Sequence, residues 1–141
     1  MPIVGFNIDK IIAEKKEVKD KINISTNLKI MEVSQEKLQI HKSEDIVKFN
    51  FEFDIKYEPK AGSIVIGGHI LYLEDPKLIK GIVKSWKKNK TIEPKIMQQL
   101  FNTILLRCNI KALELSQEIN LPPHLRLPRV ETQTKPQNYI S

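Results

Sequence analysis

A chain of 141 residues, 40% hydrophobic and 28% charged, reads as one globular domain able to bury a core without metal or disulfide staples. Its single cysteine, Cys108, excludes an internal disulfide framework and suits a reducing, cytoplasmic setting. The net charge of +6, from 23 Lys and Arg against 17 Asp and Glu, points towards anionic partners, while no run of about 18 apolar residues exists to span a membrane.

Val4, Phe6 and Ile8 alternate with Gly5, Asn7 and Asp9, and Ile11 and Ile12 follow. This predicts a first strand over 3–13. The opening residues carry charge before any long apolar run develops, which does not suit a signal peptide. The charged run 14–21 reads as a loop. Ile22, Ile24, Thr26, Leu28 and Ile30 then alternate with polar residues in a second half-buried strand. Residues 34–45 are polar and irregular apart from Leu38 and Ile40. Between 44 and 57, Val47, Phe49, Phe51, Phe53, Ile55 and Tyr57 share one parity, and Lys48, Asn50, Glu52, Asp54 and Lys56 share the other. Strict alternation fits a strand with one wet and one buried face. Three of the five Phe lie on the buried face, so whatever covers it is the core.

Pro59 and Gly62 place a hairpin turn at 58–62. Residues 64–73 are apolar on both parities, as a central strand would be. Four strands joined in sequence by short connections imply an antiparallel meander. After Asp75-Pro76 the period changes to that of a helix, with Leu78, Ile79, Ile82, Val83 and Trp86 at helical spacing. Asp75 is suited to cap it and Pro76 to open it. A linker is expected at 87–90, followed by a second helix from Pro94 to about Asn120. Ile96, Leu100, Ile104, Cys108, Ala112, Leu115 and Ile119 form its stripe. At about 38 Å it is long enough to cross the sheet and cover the Phe face. Leu121-Pro122-Pro123 ends it. The predicted architecture is α+β: a four-stranded antiparallel sheet, a meander, followed by two helices packed on one face. Residues 1–130 form the domain and 131–141 a tail.

No pattern supports catalysis or calls for a cofactor. Gly62-Ser-Ile-Val-Ile-Gly67-Gly68-His69 has the glycine spacing of a phosphate loop, yet it lacks the Lys and the Ser or Thr that touch phosphate, and it opens a strand instead of following one. Gly67 and Gly68 there read as a bulge or a close approach. His41, His69, His124 and Cys108 lie in four different elements without metal-ligand spacing. Cys108 sits on the helical stripe as a small hydrophobe. Glu52 and Asp54 share the wet face with Lys48 and Lys56 and read as a solvated surface.

The lysines are more informative. Lys77, Lys80, Lys84, Lys87, Lys88, Lys90 and Lys95 crowd one stretch whose only acid is Glu93. Arg126, Arg129 and Lys135 follow in the tail region with Glu131 as the only acid. This is a footprint for phosphate contacts, and equally the pattern of a solvated charged face.

The order of elements resembles the SecB export-chaperone family: four antiparallel strands, a long helix and a proline-rich segment. Leu121-Pro-Pro-His-Leu-Arg-Leu-Pro128 is similar to the family's Pro-Pro stretch, and the Phe-bearing strand is similar to its long amphipathic strand, with Gly67-Gly68-His69-Ile70 on the next. The resemblance covers residues 21–130, and an archaeal branch of SecB-like proteins looks nearer than the bacterial chaperone, which is acidic where this chain is basic. It implies assembly through sheet edges and helices, and polypeptide held in apolar grooves beside the helices.

Two functions are expected, both non-enzymatic. The first is docking on an anionic assembly, ribosomal RNA or ribosomal proteins, through the seven lysines with Arg126 and Arg129. The alternative is a SecB-like chaperone or antitoxin-type module that holds unfolded or nascent polypeptide at Leu121, Leu125 and Leu127.

Overall fold

A computed structural model describes residues 3–18, 20–36 and 45–130. The irregular stretch expected around Leu38, Ile40 and His41, and the tail 131–141, lie outside them. The elements run β1 (Ile3–Lys15), β2 (Asn23–Glu36), β3 (Asp45–Glu58), β4 (Gly62–Glu74), α1 (Pro76–Asn89) and α2 (Pro94–Glu118). All strand pairings are antiparallel.

The sheet order is β1-β4-β3-β2. The expected meander holds for β2, β3 and β4, while β1 lies beside β4 and not beside β2. A tight turn fixes β3 next to β4, and the doubly apolar β4 is central, so it needs a partner on its other side. β1 supplies one. The chain then crosses the end of the β3–β4 hairpin, where the Lys16 amide donates to the Ala61 carbonyl at 2.8 Å. β1 and β2 are left as the two edges of the sheet.

Two irregularities explain why the outer strands were harder to read. The register of β1 shifts between Ile8 and Lys10, and that of β2 between Ile30 and Glu32. Each extra residue moves the inward-facing set to the other parity. Phe6 and Ile8 are thus followed inward by Ile11 and Ala13, and Ile30 by Val33. β2 therefore continues to Glu36, past the end expected from its alternation.

The Phe ladder of β3 is the core, as expected: Val47, Phe49, Phe51, Phe53, Ile55 and Tyr57 are at most 2% exposed. On β4, Ile64, Ile66, Gly68, Ile70 and Tyr72 share that face. Val65, Leu71 and Leu73, on the opposite face, are only half-buried. α1 covers β2 and β3, while the long helix is set over β4. The long helix was expected over the Phe ladder itself; in the structure the cover is shared between the two helices. Leu100, Ile104, Cys108, Ala112 and Ser116, one i, i+4 row, are the inward residues of α2.

Asp75 Oδ1 accepts from the Lys77 amide at 2.8 Å, so the expected cap is present. The expected linker at 87–90 is instead the last turn of α1. Lys87 and Lys88 are good helix formers, and their charge is favoured at a helix C-terminus. Lys90 closes that turn with φ 55° and donates its amide to the Trp86 carbonyl. Its Nζ sits 5.0 Å from the Trp86 ring centroid. α2 ends in a Schellman turn: Asn120 has φ 57°, its amide reaches Gln117, and the Leu121 amide reaches the Ser116 carbonyl at 2.8 Å. Neither helix is long and apolar enough to cross a membrane.

Candidate binding groove

One face of α2 is consumed by the core, yet its apolar residues do not stop there. Leu106 and Ile110 point outward and are 66% and 55% exposed, and Leu113 is half-buried beside them. The Schellman turn then sends the chain into Leu121-Pro122-Pro123, whose prolines favour an extended course. This segment is pinned to the domain. Tyr57 Oη donates to the Pro122 carbonyl at 2.8 Å. His124 Nε2 donates to Asn109 Oδ1 at 2.8 Å, and its ring meets Phe53 edge-on at 6.2 Å.

The result is a groove of about 770 Å³ between Ile110, Leu113 and Gln117 of α2 and Leu121, Pro122, Pro123 and Leu127 of the returning segment. A second depression, about 490 Å³, runs between α2 and the edge strand, lined by Phe6, Ile8, Leu106 and Arg107. Ile110 and Glu114 belong to both, so the two are neighbours along one helix. Their rim is polar: the Arg107 guanidinium lies 4.9 Å from the centre of the Phe6 ring, and Lys111 pairs with Glu114 at 3.2 Å. An aliphatic trough with charged margins can take apolar side chains while leaving a ligand backbone near water.

The three leucines expected to bind polypeptide fall as follows. Leu121 is buried in the groove wall and Leu127 lies exposed at its margin. Leu125 faces an adjoining hollow with Arg126, Leu127 and Arg129. Leu106, Ile110, Leu113, Phe6 and Ile8 were not expected. The signal for the helical residues was present, since α2 carries more apolar residues than one stripe requires. The contribution of β1 depends on its place beside β4, which no local pattern records.

Lys77, Lys80, Lys84, Lys87, Lys88, Lys90 and Lys95 are all exposed, and no ion pair among the described residues uses them. Arg126 and Arg129 are exposed too. They lie on the segment that turns back along α2 after Leu121.

The groups that could have done chemistry are otherwise occupied. Burial pushes the Cys108 thiol up to about 11, leaving roughly one part in ten thousand as thiolate at neutral pH. His69 Nδ1 donates to Asp9 Oδ2 at 2.7 Å, and its Nε2 accepts from Asn7 at 3.2 Å, fastening β4 to the bulge of β1. Glu52 pairs with Lys10 at 3.3 Å. Among the described residues no three His, Cys, Asp or Glu converge as metal ligands.

His124 makes the groove wall sensitive to acid. Its Nδ1 is buried without a hydrogen-bond partner, and burial holds its pKa below the ordinary value of 6.5. The folded state thus binds fewer protons than the unfolded chain. Stability is fully present above pH 6.5 and falls as the pH drops through the interval down to the folded pKa. The melting temperature is expected to decline from about pH 7 to pH 5, and His124→Gln to flatten that decline. An equal slope in the variant would assign it to other groups.

No protein-family model matches the chain, and neither does any curated protein. Among solved structures, the Mycobacterium tuberculosis SecB-like chaperone Rv1957, in complex with a ChAD peptide from the Rv1956 HigA1 antitoxin, superposes with a TM-score of 0.52 at 12% identity. The alignment covers 96% of this chain and 92% of that one. The fold is SecB-like. The sheet followed by two helices is shared along nearly the whole of both chains, whereas the archaeal branch expected from the sequence gains no support.

Proposed function

We propose that this protein is a non-enzymatic holder of unfolded or extended polypeptide, and that the trough along the outer side of α2 is where it holds it. The observation that carries this reading is the pair of neighbouring apolar depressions meeting at Ile110, one walled by the proline segment and the other by edge strand β1. An extended chain laid across them can place side chains in both, each buried aliphatic residue contributing about 1.5–3 kcal/mol before ordering losses. The similarity to a SecB-like chaperone solved with an antitoxin peptide supports the same reading, and an antitoxin-like segment is one client of this kind. Docking on ribosomal RNA, the first expectation from the sequence, finds no support in the comparisons.

The test is light scattering of a chemically unfolded client diluted into buffer with and without the protein. Wild type is expected to suppress aggregation at stoichiometric ratio. The double variant Ile110→Asp with Leu127→Asp is expected to lose about tenfold in potency. Both residues are more than half exposed, so the fold survives the change. Equal suppression by the double variant, or none by wild type, would refute the proposal.

A further inference from the structure

A further cleft, of about 460 Å³, lies between α1 and the start of α2. Leu78, Ile82, Ile92 and Ile96 supply its aliphatic surface, with Lys77 and Lys95 beside it. Glu74 and Glu93 line it as well, so its mouth is mixed in charge, while the helix face next to it is not. Taking 100° per residue, Leu78, Ile82 and Ser85 occupy the side of α1 that opens on the cleft, and Lys77, Lys80, Lys84 and Lys88 the side turned to solvent. Gly81 lies on the seam between the two.

Gly81 has no intramolecular explanation. Glycine weakens a helix interior relative to alanine. A Cβ at this position would meet nothing within 4 Å, and Gly81 is absent from the left-handed conformations. The residue leaves the backbone bare where an aliphatic cleft meets a row of lysines, and Leu78 stands 57% exposed beside it.

We infer that this seam docks an acidic peptide segment, whose aliphatic residues enter the cleft across Gly81 and whose carboxylates meet Lys77, Lys84 and Lys88. Charge complementarity selects acids, and the aliphatic cleft selects a ligand with apolar side chains. Nucleic acid fits less well: Trp86, the tryptophan of α1, is 6% exposed and Lys90 covers its ring, so it offers no platform for base stacking. A lipid surface would need a projecting apolar element, and this one is recessed. The site is separate from the trough of the proposed function and does not depend on it.

The experiment pans a random dodecapeptide phage library on the full chain and measures the selected peptides by fluorescence anisotropy. Enrichment of Asp and Glu interspersed with Leu, Ile or Phe is expected, with affinity that falls as salt rises. Gly81→Leu, which fills the seam, and Lys84→Glu with Lys88→Glu are each expected to weaken binding by about tenfold. Gly81→Ala should raise the melting temperature and still weaken binding, a pairing that a merely structural glycine would not show. Gly81→Leu should leave aggregation suppression unchanged. Selection of neutral or basic peptides, or indifference to Gly81→Leu, would overturn the proposal. So would tighter lysine-dependent binding of a duplex RNA or of phosphatidylserine vesicles that ignores Gly81→Leu.

Discussion

Phe53→Ala is expected to lower the free energy of unfolding by about 3–5 kcal/mol, a large share of the roughly 5–15 kcal/mol typical of a domain. Phe53 is 0% exposed, midway along the inward face of β3, opposite Leu28 on β2 and Ile66 on β4. Its ring also carries the edge of His124. Truncation removes the transfer energy of the ring and leaves a cavity that two flanking strands, held by backbone hydrogen bonds, cannot collapse to fill. The measurement is urea unfolding, with the midpoint falling at unchanged slope. A loss below about 1.5 kcal/mol would mean that the ladder is looser than its burial indicates.

Gly68→Ala is expected to destabilise by about 2–4 kcal/mol, although it adds only a methyl group. A Cβ at Gly68 would lie 2.1 Å from the Asn7 carbonyl oxygen and 2.9 Å from Phe51 Cζ. The first neighbour is backbone and cannot turn aside. Phe6 and Phe51 stack face to face over this position, with ring centroids 5.4 Å apart. β1 must therefore move away from β4, straining the Asp9–His69 contact across the same pair of strands. Amide exchange should accelerate along β1 before the rest of the sheet. Uniform exchange in the variant would contradict this account.

Local chemistry was legible where it acts over a few residues. The alternation from Val47 to Tyr57, the Asp75 cap with Pro76, and the stripe from Leu100 to Ala112 each have one dominant cause within reach of the chain, and each stands where expected. The double-sided apolarity of 64–73 marked a central strand. What it could not say is which strand takes the vacant side, because pairing between β1 and β4 is non-local and the bulges at Asp9 and Met31 break the alternation that would have shown it. The groove was half legible. The prolines and Leu121 and Leu127 were expected, whereas Leu106 and Ile110 lie outside the single stripe read along the helix, on a second apolar direction of α2.

The hydrogen bond from Tyr57 to Pro122 has a further consequence for how a client would be taken up. Tyr57 closes the most deeply packed strand, so the proline wall belongs to the same cooperative unfolding unit as the sheet. The entropy of ordering that wall is lost when the protein folds, not when a client arrives. Capture would then be limited by encounter with an already shaped surface.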